Sequence, residues 1–294
     1  MNPVAQSVAA VLLLAHGSPD SVDQVPEFLL HVTGGHSLPP KVVEEVQRRY
    51  GLIGRSPLTD LTLKQAELLA GKLGVRVYVG MRNWKPYIAD AVGAMVSDGV
   101  RHAVVICMAP HNSRTSVGLY RAALAAEKHS FSIDFVESWH DHPMLIRAFA
   151  EKLRAGREPG VPIIFTAHSV PQRTVTEGDP YERQAKETAA LVAKEAALGP
   201  QDWIFAFQSQ GMSGGAWLGP TVEDTILGLK EKGHRSVFIQ PIGFLCDHVE
   251  VLYDVDIGFK QFAEKEGMRL RRAESLNDSS WLTDALSEVV GRSR

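Results

Sequence analysis

The chain has 294 residues, 45% of them hydrophobic and 22% charged, enough for two α/β domains or one large one. A formal net charge of −3 excludes a basic surface for nucleic acid or for an anionic membrane, and no apolar run approaches a transmembrane segment in length. The only two cysteines, Cys107 and Cys246, are isolated, which excludes a disulfide framework or a four-cysteine iron–sulfur cluster and points to a reducing, cytoplasmic location.

Val8–Ala15 is continuously apolar with no basic residues before it, and predicts a buried first strand over Val11–Ala15. The strand breaks at His16-Gly17-Ser18-Pro19, a turn suited to facing a ligand, where His16 is the one side chain able to bind metal or move protons near neutrality. Two helices follow within 22–50, split by a Gly- and Pro-rich loop. Gly54-Arg55-Ser56-Pro57 then leads into a helix from about Asp60 to Leu73. Short strands at Arg76–Val79, Ala103–Met108 and Ile133–Val136 alternate with helices at Ile88–Asp98 and up to Ala126. That alternation predicts a parallel, doubly wound sheet.

Arg154–Gly160 marks a connection, dividing the chain into 1–150 and 160–294, and the pattern then restarts. Strand Ile163–Thr166 runs into Ala167-His168-Ser169-Val170-Pro171, an echo of Ala15-His16-Gly17-Ser18-Pro19, and Val237–Ile239 with Gln240-Pro241 echoes Val104–Met108 with Ala109-Pro110. Two echoes in one order suggest duplicated α/β halves of Rossmann-like type. Helices are predicted over Pro180–Leu198, Val222–Glu231 and Trp281–Val290, the last placed to pack back on the N-terminal half, and a strand over Trp203–Phe207. Between these lies a glycine-rich loop, Gln208-Ser209-Gln210-Gly211 with Trp217-Leu218-Gly219-Pro220.

The stretch Ser236–Phe259 carries the densest chemistry. A strand and a Pro-Ile-Gly turn feed an expected α-helix capped by Asp247, with Glu250 in the capping-box position. Glu250 and Asp254, at i and i+4, share one helix face. Acids at the carboxyl end of a strand lie where open α/β sheets build their sites, and an imidazole such as His168 beside a carboxylate can hold a divalent metal and accept protons.

Ala167-His168-Ser169-Val170-Pro171, Trp217-Leu218-Gly219-Pro220, Pro241-Ile242-Gly243-Phe244 through Asp247-His248-Val249-Glu250, Asp179-Pro180-Tyr181 and Ser275-Leu276-Asn277 together resemble the motifs of the ferrochelatases, in the family's order from Leu12 to Val290. Ala109-Pro110-His111 with Ser113, Ser116-Val117 and Tyr120 is similar to the form of Gram-positive bacteria that metallates coproporphyrin III. The resemblance implies two chelatase-like halves with a porphyrin cleft between them. It implies Fe(II) as a substrate, no nucleotide and no iron–sulfur cluster. It also implies a monomer that takes a porphyrin and passes heme on, with the next heme-pathway enzyme as a candidate partner.

By the same resemblance His168 and Glu250 are the catalytic pair and metal contacts, and Asp254 extends an acidic outer track. Ser18, Arg55, Ser56, Ser116, Tyr120 and Trp217 are substrate-binding, with Trp84, Met108 and Phe244 as further candidate walls. His16 stands where related enzymes often carry tyrosine, which makes it a substrate contact and a candidate axial ligand across the macrocycle. Arginines usual after the first helix are replaced by Thr33-Gly34-Gly35. Alternatives are a protoporphyrin IX enzyme, a cobalt or sirohydrochlorin chelatase, and a non-catalytic heme or metal carrier.

Overall fold

The computed structural model describes residues 10–210 and 215–292; Val8, Ala9 and Gly211 of the stretches above lie outside the described residues. These residues form two compact units. The first comprises 10–110, 116–139 and 277–292, and the second 111–115 and 140–276.

In the first unit the strands are β1 (Ala10–Ala15), β2 (Arg76–Met81), β3 (His102–Cys107) and β4 (Ser132–Val136). They make a parallel sheet in the order β2-β1-β3-β4. β1 pairs on both edges, Ala15 opposite Met81 and Leu14 opposite Cys107, and every one of its residues is buried. This explains an apolar run without alternation, since a central parallel strand is covered on both faces. Around it lie α1 (Val25–Val32), α2 (Pro40–Ile53), α3 (Leu58–Leu73), α4 (Ile88–Ser97) and α5 (Val117–Ala125). Leu12, Leu14 and Val105 pack against Val92 and Met95 of α4 and Tyr120 and Leu124 of α5.

The second unit repeats the plan. It begins with helix α6 (Pro143–Gly156), which lies wholly in this unit and runs through the division expected at 150. Then come β5 (Ile163–His168), the short α7 (Gln172–Thr176), α8 (Tyr181–Glu195), β6 (Trp203–Gln208), α9 (Val222–Glu231) and β7 (Ser236–Pro241). A π-helix (Glu250–Phe259), α10 (Lys260–Lys265) and β8 (Arg269–Arg272) complete it. The sheet is again parallel, in the order β6-β5-β7-β8, the same pattern as the first. Each half is thus a parallel α/β sheet, as the alternation of elements predicts. The last helix, α11 (Ser280–Arg292), belongs to the first unit, where Gln65 Nε2 donates to Asn277 O at 2.7 Å and Lys72 pairs with Asp284 at 2.6 Å.

The expected α-helix after β7 is corrected by the structure. Glu250–Phe259 is a ten-residue π-helix whose preceding residue, Val249, makes no side-chain cap. Asp247 is engaged elsewhere, accepting from Ser275 Oγ at 2.7 Å and facing Arg272 at 3.2 Å. The physical reason lies in the packing: Val251, Val255 and Phe259 are buried at a strict four-residue repeat. A wider i→i+5 turn keeps such a repeat on one face, whereas an α-helical stripe alternates steps of three and four.

Candidate active site

The C-terminal edge of the second sheet carries His168, the last residue of β5. The strand end at His168 and Ser169 is held from three sides. Ser169 N donates to Gln208 O at 2.7 Å, Ser169 Oγ to Leu218 O at 2.9 Å, and Tyr181 Oη to His168 O at 2.9 Å. After β7 the chain turns back over β5, with Ile242 N and Gly243 N both directed at Thr166 O, at 2.8 and 3.2 Å. A Cβ on Gly243 would sit 2.9 Å from Ala167 Cα, so only glycine lets the turn close against the strand that ends in His168.

This approach delivers the π-helix to the strand end. Thr166 Oγ1 donates to Gln208 Oε1 at 2.6 Å, and Gln208 Nε2 donates to Glu250 O at 3.1 Å, linking β5, β6 and the first residue of the π-helix. His168 Nε2 then lies 3.4 Å from Glu250 Oε1, and His248 Nε2 lies 3.5 Å from Glu250 Oε2. Each imidazole also turns Nδ1 to a carbonyl, His168 to Ser169 O and His248 to Cys246 O. A carbonyl only accepts, so Nδ1 carries a proton in both rings. One turn along the π-helix, Asp254 accepts a short hydrogen bond from Ser209 Oγ. Phe244 packs edge-on against the His248 ring, 4.5 Å between centroids.

The electrostatics follow the geometry. Burial acts to lower the His168 pKa, but the Glu250 carboxylate overcomes it, and the imidazole is pushed up to about 9. Glu250 is held well below the usual carboxylate range; burial opposes this, and His168 and His248 outweigh it. Both side chains keep about a third of their surface open to solvent, 32% for His168 and 33% for Glu250. The result is a reachable imidazolium–carboxylate pair. Among the described residues no three His, Cys, Asp or Glu side chains converge as a ready-made metal cluster. His168, Glu250 and His248 form a row, with the carboxylate in the middle. Both cysteine thiols are buried and pushed up to about 12, so neither is a thiolate near neutrality.

Other residues singled out from the sequence lie in the first unit. His16 is exposed at the end of β1, with Nδ1 3.0 Å from Gly17 O, which leaves Nε2 as the nitrogen bearing a lone pair in the neutral ring. Ser18 is buried and shares a 3.1 Å hydrogen bond with Tyr50 Oη. Ser56 is buried with no hydrogen-bond partner for its hydroxyl, while Arg55 sits between Asp20 at 3.0 Å and Asp60 at 3.1 Å. Tyr120 is buried on α5, one turn after Ser116. Trp84 is 2% exposed among Phe28 and His31, a core residue and not an open wall. In the second unit Trp217 pairs through its backbone with Pro171 beside the His168 loop. Sequence reading gave no role to His248, Gln208 or Tyr181, although His248 and Tyr181 fall within the motifs Asp247-His248-Val249-Glu250 and Asp179-Pro180-Tyr181.

The sequence model of one family, described as Ferrochelatase, matches residues 8–294. The chain belongs to the ferrochelatase family. Ferrochelatase relatives include one from Acidobacterium capsulatum, named "Ferrochelatase", 54% identical over 96% of this chain and 93% of its own. Another, from Geobacillus kaustophilus, is named "Coproporphyrin III ferrochelatase" and is 36% identical over 98% of this chain and 96% of its own. Among solved structures, the sirohydrochlorin chelatase SirB from Bacillus subtilis subspecies spizizenii, in complex with cobalt, superposes with a TM-score of 0.60 at 12% identity. That match covers 97% of this chain and 94% of SirB, a likeness of fold. Ferrochelatase membership makes the chain a metal chelatase with Fe(II) as substrate, and no helix among the described residues is long and apolar enough to cross a membrane.

Proposed function

We propose that this ferrochelatase inserts Fe(II) into coproporphyrin III to give coproheme. The observation that supports the chemistry is the His168–Glu250 pair, partly open to solvent at 3.4 Å. Insertion exchanges one Fe(II) for the two N–H protons of the free-base macrocycle, so the site needs a nitrogen base beside carboxylates. His168, an imidazolium in the free chain, is a metal contact and the base facing the porphyrin once Nε2 has passed its proton to Glu250, its carboxylate partner. Glu250 and Asp254, with His248, form the row along which protons leave and the metal loses its waters.

The macrocycle is bound by its edge. Ser18, Ser56, Ser116 and Tyr120 act on the propionates, Trp217 on the ring, and His16 from the opposite face as axial ligand. The choice of coproporphyrin is supported by the Ala109-Pro110-His111 run with Ser113, Ser116 and Tyr120, and by the names of the Geobacillus relatives. In this reading the chain works in the cytoplasm as a monomer and hands its product to the next enzyme of heme synthesis.

The test is an anaerobic insertion assay offering Fe(II) with coproporphyrin III and protoporphyrin IX in parallel, followed at the Soret band. Faster metallation of coproporphyrin is expected. Faster use of protoporphyrin, which the plain "Ferrochelatase" name of the Acidobacterium relative would fit, overturns the substrate assignment and leaves the chemistry. Heme binding without metallation of either porphyrin overturns both.

A further inference from the structure

Two cations lie near the carboxyl ends of β1 and β2, and they are in opposite states. Arg55 has its charge matched by Asp20 and Asp60 and is half exposed. Arg82 is half-buried, and among the described residues its guanidinium makes neither an ion pair nor a hydrogen bond. Burial pushes its pKa below the ordinary guanidinium value, opposed only by the Tyr120 phenol nearby. A desolvated arginine with no counter-charge is costly in a free protein and becomes favourable when an anion arrives.

The surroundings of Arg82 are built from close backbone contacts. Arg82 N donates to Ala15 O and Asn83 N to His16 O, each at 3.0 Å, so the segment runs alongside the His16 strand end. Gly17, at φ +84°, packs so closely that a Cβ would meet Trp84 N at 2.8 Å. Trp84 Nε1 reaches Asp20 Oδ2 at 3.4 Å, and Asp20 holds Arg55 next to Ser56. Two more polar groups of this region are unsatisfied: Asn83 Nδ2, in a residue 1% exposed, and Ser56 Oγ, in a residue 3% exposed. Of these groups the Arg82 guanidinium is the donor that keeps exposed surface and charge to offer a carboxylate.

We propose that Arg82, next to the unsatisfied Asn83, is the cation that receives a propionate carboxylate of the porphyrin, in place of the charge-matched Arg55. This rests on the porphyrin reading above and gives a binding role to a residue that reading did not use. It also supplies a cation to a chain that has Thr33-Gly34-Gly35 where the family resemblance leads one to expect arginines.

The test compares the parent with Arg82→Gln and Arg82→Lys in Fe(II) insertion, using coproporphyrin III and protoporphyrin IX, both of which bear propionates. In Arg82→Gln, KM for the porphyrin should rise about tenfold with kcat within about twofold, and Arg82→Lys should recover most of the loss. Thermal stability of the ligand-free Arg82→Gln protein should not fall, since no partner is lost. An unchanged KM overturns the proposal, as does a joint fall in kcat and Tm that lysine does not rescue. Relief of inorganic phosphate inhibition without any change in porphyrin KM also overturns it, because the site would then hold a free anion. The parent's preference between the two porphyrins tests the coproporphyrin reading separately, since the arginine comparison can be read on either.

Discussion

His168 Nε2 and Glu250 Oε1 face one another at 3.4 Å although they come from a strand end and a π-helix 82 residues apart in sequence. Replacing His168 by alanine removes the proposed base and leaves the backbone cradle of Ser169 and Gln208 in place. Insertion should fall at least about a hundredfold, while porphyrin binding, read by quenching of tryptophan fluorescence, stays within a few fold. Full activity in this variant would remove His168 from the chemistry.

Tyr181 Oη holds the carbonyl of His168 at 2.9 Å from the first turn of α8. Tyr181→Phe leaves that carbonyl short of a partner and should cost about 1 kcal/mol of stability. A several-fold fall in kcat with porphyrin KM unchanged is the expected kinetic trace, measured on the same insertion assay.

Gly243→Ala places a methyl 2.9 Å from the Ala167 backbone, where nothing flexible can yield. The turn must move away from β5, at a cost of about 1–3 kcal/mol, carrying the start of the π-helix with it. Urea unfolding should show the loss, and activity should drop more than Tyr181→Phe causes, because both members of the pair are displaced.

His111 should make the fold acid-sensitive. It is 2% exposed, with Nε2 2.9 Å from Thr188 Oγ1, whose own hydroxyl serves His140 O at 2.8 Å. Burial, aided by the nearby His140, pushes His111 down to about 3, below its unfolded value of 6.5. A group depressed in the folded state contributes stability that is complete above pH about 6.5 and is lost as pH falls toward 3. The slope should approach about 1.4 kcal/mol per pH unit in that window. Urea unfolding at pH 7, 6 and 5 measures it, and His111→Gln should flatten the dependence; an equal slope in the variant would assign it to other groups.

Much of this architecture is legible in the sequence because parallel strands buried on both faces read as unbroken runs, as in Val11–Ala15 and Ile163–Thr166, and Gly or Pro ends them. The same punctuation marks His16 and His168 as strand-end residues. β8 escapes that reading because Arg-Leu-Arg-Arg at a sheet edge buries Leu270 and otherwise looks like a solvated loop. The π-helix escapes because an i, i+4 pair such as Glu250 and Asp254 fits an α-helix equally well; only the buried Val251, Val255 and Phe259 distinguish the two. Tyr181, Gln208 and Arg82 act through partners distant in sequence or through the absence of one, and no local pattern carries that.

The shared strand order repeats one edge position in both units. β1 and β5 are the corresponding central strands of two sheets with one topology; β5 ends at His168 and His16 directly follows β1. His168 has a carboxylate neighbour at 3.4 Å and a raised basicity; His16 is exposed beside Gly17. Two sheets of one plan thus carry a histidine at the same edge position in two different chemical settings.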